Sequence, residues 1–182
     1  SKLINFVKNW QLSNKYKNTE KTNNPMNFQS AGKNFKRGDF GYMLLGIDIG
    51  ATSTRLGIFG VNGKKLSLLC HLKCKSGKLG SFINMLNESV DYAKEKYTFS
   101  LKKACIGVAG IVSKEKGYAE MTNLRLNLNK KILLKNTKLK EILFVNDFEA
   151  IGYGINILPG SSIIPIKKAQ KAPKAPIAVI GA

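Results

Sequence analysis

Residues Met43 to Ile49, MLLGIDI, constrain this chain more than any other stretch. Five of the seven are large and apolar, and only Gly46 and Asp48 interrupt them. A strand with one wet face alternates apolar and polar residues. A near-continuous run like this one reads as a central strand buried on both faces. Gly50 to Ser53 follow as a turn, and Arg55 to Phe59 form a second strand. Asn62-Gly63 suits a tight hairpin turn, and Lys65 to Lys73 alternate well enough for a third strand. The period then changes. Phe82, Ile83, Leu86, Val90 and Ala93 recur at spacings of three and four, which predicts an amphipathic helix over Leu79 to Tyr97.

Further strands are expected at Lys103 to Val108, Glu141 to Val145 and Ile177 to Ile180. A short helix is expected at Asn129 to Lys135, after an irregular stretch. A second is expected at Phe148 to Ile157, stopped by Pro159-Gly160. Lys167 to Pro176 reads as a basic, proline-punctuated surface loop. The class is therefore α/β. It has a mixed sheet, with three antiparallel strands first and then parallel strands joined by crossover helices.

Residues 1–42 differ from the rest. Asn, Lys and Ser dominate, and Asn14 to Gly41 are nearly free of aliphatic side chains. Such a composition buries too little apolar area to offset ordering entropy. The segment is expected to be a disordered basic extension, apart from a short helix over Leu3 to Leu12. Residues 43–182 are expected to form the folded domain. The 182 residues carry a formal net charge of +19. That excess is mostly lysine spread along the whole chain. No arginine-rich block with interleaved aromatics appears, so nucleic acid is not expected as a partner. No apolar run approaches the ~18 residues that span a bilayer, and no secretory signal is evident. The expected setting is therefore the cytoplasm, away from the membrane. Cys70, Cys74 and Cys105 lack a disulfide framework, and with a single His they do not make up a structural zinc site.

Three constellations could carry chemistry. In GIDIGATSTR, residues 46–55, an acidic residue near the end of a buried strand precedes a turn of small residues. Gly50, Ala51, Thr52 and Ser53 let backbone N–H groups approach phosphate oxygens, and the Ser and Thr hydroxyls, Thr54 included, add donors. Asp48 is placed to hold a hydrated Mg²⁺. The competing reading is an ordinary hairpin turn, and the stretch alone does not decide between them. In FVNDFEA, residues 144–150, a carboxylate lies at the carboxyl end of a parallel strand, where open α/β sheets bind ligands. Asn146 or Asp147 is equally a helix N-cap, and the two roles are compatible. Gly107 to Gly110 and Met121 to Leu124 flank strand ends and could line a pocket for a polyhydroxylated ligand. Loop turns account for them as well.

Taken in order, LLGIDIGATSTRLGIF, GVAGIV, AEMTNL, FVNDFEAIGYGI and PIAVIGA resemble the bacterial-type glucokinases of the hexokinase and actin superfamily. The resemblance runs from Met43 to Ala182. It implies a ribonuclease-H-like fold and ATP-dependent phosphorylation of glucose to glucose 6-phosphate, with Mg²⁺. Asp48, Gly50, Thr52 and Thr54 match the family's first phosphate motif, with Ala51 and Ser53 completing the turn. Asn123, Asn146 and Asp147 match its sugar contacts, and Gly110 is placed beside them. Asp147 corresponds to the catalytic base. In the family a second glycine-rich phosphate loop and a large domain follow the last of these segments. The chain is thus expected to be the small N-terminal domain, inactive by itself. Glucose and ATP are the implied partners, and a homodimer of the full-length protein is compatible with the resemblance. The alternatives are a kinase for another hexose and a non-catalytic sugar sensor of the same fold. Sensors of that kind usually carry a helix-turn-helix, and residues 1–42 lack a helix pair of the required length.

Overall fold

The computed structural model describes residues 26–32, 34–63, 65–155 and the single positions 161, 164, 166 and 178. The helix expected over Leu3 to Leu12, the loop over Lys167 to Pro176 and the Pro159-Gly160 stop lie outside these residues. So does the strand over Ile177 to Ile180, save Ala178.

Six strands form the main sheet. They are β1 (Gln29–Ser30), β2 (Tyr42–Ile49), β3 (Ser53–Asn62), β4 (Lys65–Lys75), β5 (Lys103–Val108) and a last strand, Glu141–Asn146, numbered β9 below. Their spatial order is β1-β4-β3-β2-β5-β9. The pairs β2/β3 and β3/β4 are antiparallel, whereas β2/β5 and β5/β9 are parallel. This is the mixed sheet expected from the sequence. In β2, Met43 to Ile47 are all buried, in line with a central strand covered on both sides. Gly63 opens the two-residue β3–β4 loop at φ 57°, a left-handed conformation that glycine adopts without a Cβ penalty.

Helix α1 (Leu79–Tyr97) lays Phe82, Met85, Leu86, Val90 and Ala93 on the sheet. There they meet the Leu45, Ile47, Ile58 and Ile106 side of the core. Ser89 is fully buried within this face, and its hydroxyl donates to the Met85 carbonyl at 2.6 Å. That bond satisfies a polar group that would otherwise cost about 1–3 kcal/mol. Asn129 accepts from the Lys131 and Ile132 amides and so caps α2 (Lys130–Asn136). Asp147–Ile155 form α3 directly after β9.

Two features depart from the sequence reading. The stretch expected to be irregular holds a second, three-stranded antiparallel sheet of β6 (Ile111–Ser113), β7 (Tyr118–Met121) and β8 (Leu126–Asn129). The disorder expected for residues 1–42 also fails over its described part. Gln29–Ser30 pair with His71 and Cys70 at the edge of β4, and Phe28, 1% exposed, stacks on Tyr92 with ring centroids 4.3 Å apart. Phe40 lies so close over Gly60 that a Cβ there would come within 2.3 Å of its ring. Four aromatic and aliphatic anchors, Met26, Phe28, Phe35 and Phe40, pack on the core from this segment. Average composition diluted them.

Candidate active site

The carboxyl ends of β2, β5 and β9 finish side by side. Ile49 pairs with Val108, and Val108 pairs with Asn146. Three connections therefore leave one rim of the sheet: the Gly50–Thr52 bend, Ala109-Gly110 and the start of α3. This is the edge at which parallel strands present ligands.

At the bend, the Gly50 amide donates to the Ser53 carbonyl at 3.0 Å. Ala51 and Thr52 are exposed, and Gly50 and Ser53 half-buried. A Cβ on Gly50 would lie 3.1 Å from the Ser53 oxygen, so the closeness of the turn favours glycine. Thr54 behaves differently from its neighbours. It is 3% exposed, and its hydroxyl bonds to Ser76 at 3.0 Å. Its side chain supports the bend from inside and does not line the mouth.

Asp48 faces Arg55 across the β2–β3 pair and neighbours Gly107 on β5. Gly107 in turn pairs with Val145. Burial raises the Asp48 carboxyl above the usual range. The Arg55 guanidinium pulls it back, and the charge of Asp147 raises it again. Asp48 thus senses the charge of Asp147 beyond the side-chain-free Gly107. Among the described residues no three His, Cys, Asp or Glu gather as a metal cage. Two neighbouring carboxylates, one partly desolvated, are instead the hard-oxygen set suited to a cation that keeps its waters.

Asn146 combines two roles. Its Oδ1 accepts from the amides of Phe148 at 3.0 Å and Glu149 at 3.3 Å, so it is the N-cap of α3. Its Nδ2 donates to the Gly110 carbonyl at 2.9 Å, tying the β9 and β5 ends together. One amide hydrogen remains to offer a ligand. Asp147 is half-buried, and its Oδ1 accepts from the Phe148 amide at 2.9 Å. Its Oδ2 has no hydrogen-bond partner among the described residues. Gly110 uses both backbone groups, the amide on Val108 and the carbonyl on Asn146. A Cβ there would come within 2.0 Å of the Glu120 carbonyl oxygen. Gly110 therefore shapes the rim with both backbone groups engaged, its carbonyl keeping one lone pair free. The same close approach brings the Met121 end of β7 to the rim, and the exposed Asn123 follows in the next turn, Thr122–Leu124.

Sequence reasoning passed over Ser76, which bonds the bend, and the Lys114–Glu149 ion pair, which ties the β6–β7 turn to α3. A lone serine after a strand carries no periodic or motif signal, and the ion pair joins residues distant in sequence. The thiols of Cys70 and Cys105 are buried, which pushes each up to about 12. In β4, Cys70 and Cys74 share a face that His71, by strand alternation, does not.

Three antiparallel strands leading into parallel ones, with acidic residues at the parallel ends, define an α/β domain of the ribonuclease-H-like, actin and hexokinase type. The glucokinase family model matches residues 44–182, and the chain belongs to the glucokinase family. The glucokinase of Nostoc sp. (strain PCC 7120 / SAG 25.82 / UTEX 2576) is 31% identical over 141 residues, which are 77% of this chain and 40% of that protein. That of Colwellia psychrerythraea (strain 34H / ATCC BAA-681) is 29% identical over 135 residues, 74% of this chain and 38% of that protein. Among solved structures, a glucokinase from an Antarctic psychrotroph superposes with TM-score 0.56 at 20% identity, covering 73% of this chain and 41% of its own. The glucokinase of Balamuthia mandrillaris in complex with glucose gives 0.53 at 20% identity, covering 85% and 37%. At that identity the structures speak for the fold. The chain spans about 40% of the length of the first curated relatives it matches.

Proposed function

We propose that this chain supplies the phosphate-gripping and sugar-gripping half of an ATP-dependent glucokinase. The observation that carries the reading is the shared rim. Asp48 and the Gly50–Ser53 bend end β2 there and Asn146-Asp147 end β9, on either side of β5, and Asp48 senses the charge of Asp147. Phosphoryl transfer asks a protein mainly for positioning and for neutralising charge. The bend amides and the Thr52 and Ser53 hydroxyls would hold phosphate oxygens. Asp48 would hold Mg²⁺ through water. That ion, when bound, offsets phosphate charge. Asn123 and the remaining Asn146 hydrogen would orient the sugar hydroxyls.

Asp147 Oδ2 would accept the proton of the glucose 6-hydroxyl as its oxygen attacks the γ-phosphorus. The bond from that phosphorus to the β,γ-bridging oxygen breaks, and ADP leaves. The products are glucose 6-phosphate and ADP, the output of the first step of glycolysis, so the cytoplasm is the fitting compartment. Among the described residues no helix is long and apolar enough to cross a membrane. By themselves these 182 residues are expected to turn over glucose barely or not at all, since they span about 40% of the length of the first curated relatives. A homodimer of the full-length protein is part of the proposal.

The test is a coupled assay of the full-length protein carrying this chain, with ATP, Mg²⁺ and a panel of hexoses. Glucose should give the highest kcat/KM. Preference for another hexose would move the substrate assignment. No turnover of any hexose would leave the sugar-sensor alternative, which sugar binding without phosphorylation would support.

A further inference from the structure

We infer that Ser76 is a positioning residue for phosphate binding, setting the direction in which the bend after β2 presents its amides. The inference rests on the kinase reading and deepens it. Ser76 follows β4, 26 positions beyond Gly50, and reaches the bend from beneath through three bonds. Its hydroxyl donates to the Gly50 carbonyl at 2.7 Å. Its backbone amide donates to the Thr52 carbonyl at 3.3 Å. Its oxygen also lies 3.0 Å from the Thr54 hydroxyl. A serine hydroxyl has one hydrogen. With that hydrogen on Gly50, Thr54 must be the donor in the third bond. The result is a short directed chain, Thr54 to Ser76 to Gly50.

The consequence follows from the planar trans peptide, in which C=O and the next N–H point in opposite directions. Drawing the Gly50 carbonyl toward Ser76 turns the Ala51 N–H away from it. Drawing in the Thr52 carbonyl turns the Ser53 N–H the other way, toward Gly50, whose amide bonds the Ser53 carbonyl. The Ala51 amide is thus held pointing away from Ser76, in the part of the bend where Ala51 and Thr52 are exposed. An N–H fixed in this way needs no reorganisation when an anion arrives. A bend of small residues would otherwise sample many peptide orientations. Thr54 thus has a role in phosphate binding without reaching the phosphate, which accounts for a hydroxyl-bearing residue at a buried position.

The experiment compares wild type, Ser76→Ala, Ser76→Thr and Thr54→Val in the full-length protein carrying this chain. Ser76→Ala removes the hydroxyl bonds and keeps the backbone one. It is expected to raise KM for ATP by about tenfold while KM for glucose stays within about twofold. Ser76→Thr keeps a hydroxyl and should restore most of the loss. Thr54→Val keeps shape, removes the donor, and should give a smaller rise in the same direction. Hydrogen exchange at the Gly50 and Ser76 amides, which donate to the Ser53 and Thr52 carbonyls, should quicken in Ser76→Ala with the thermal midpoint nearly unchanged. An unaltered KM for ATP in an active Ser76→Ala enzyme would overturn the inference. So would a parallel rise in both KM values with a lowered midpoint, which marks general loosening. A wild-type protein that phosphorylates no hexose defeats the kinase reading itself. In that event unchanged exchange in Ser76→Ala would defeat the clamp as well, and quickened exchange would uphold it.

Discussion

The bend after β2 and the turn after β9 open on the same rim, yet they are built on different principles. The bend is a run of small residues with little intrinsic preference, held by the hydroxyl of Ser76, which follows β4 and is itself bonded to Thr54 of β3. The turn after β9 is held by its own sequence, because Asn146 caps the helix that follows it. The bend takes its shape from a partner distant in the chain, whereas the turn has a cap of its own and adds to it ties to Gly110 and Lys114. A surface that must mould to phosphate oxygens can use interchangeable backbone amides. On the proposed reading, a base that must meet one proton needs a side chain on a rigid element.

The sharpest way to break this contrast is at the base. Asp147→Ala in the full-length protein should lower kcat by about 10³-fold, within the range general bases contribute, while ATP affinity survives. Steady-state kinetics and nucleotide titration together check it, and turnover near the wild-type rate would end the base assignment. Next in size is Gly110→Ala. The added carbon would collide with the Glu120 carbonyl, and the two sheets would have to part at the rim. A loss of about 2 kcal/mol is expected in denaturant unfolding. Asn146→Ala removes the cap and the bond to Gly110 together, and should cost about 1 kcal/mol. Because the cap belongs to the turn itself, the damage should remain on the β9 side, with exchange quickening at Phe148 and Glu149 and not at the Gly50 amide of the bend.

The smallest effect concerns Asp48. The folded protein raises its carboxyl, so it binds that proton more tightly than the unfolded chain does. This contribution to stability is present below the unfolded aspartate pKa and is lost as pH rises through the folded one. Asp48→Asn stays uncharged. It should raise the thermal midpoint at neutral pH relative to wild type, and change it little in acid where both are neutral. Activity should fall even as stability rises, because the carboxylate proposed to hold the metal is gone.

Much of the main sheet was legible because its signals are local and repeated. MLLGIDI reads as a covered strand, and the Phe82 to Ala93 spacing as one face of a helix. The second sheet was not legible. Its strands are three or four residues long, too short for alternation to stand out from loop sequence. Phe28 and Phe40 were hidden for a different reason, being isolated anchors in a lysine- and asparagine-rich stretch whose average masks them. At the site, the positions of Asp48, Asn146 and Asp147 followed from strand ends and a family resemblance. The inward turn of Thr54 did not, since strand parity at a bend depends on where the first cross-strand pair forms. Ile49 pairs with Thr54, which sends the Thr54 side chain to the face opposite Asp48. Ser76 was invisible because its meaning lies entirely in what it touches.

The proximity of the two carboxylates supports everything proposed about the reaction, and it can be read without turnover. The measurement is an NMR titration of the Asp48 carboxyl in wild type and in Asp147→Asn. Removing the neighbouring charge should move the Asp48 midpoint to lower pH. A midpoint that stays where it was would mean that the two groups do not share a crevice, and would contradict the account.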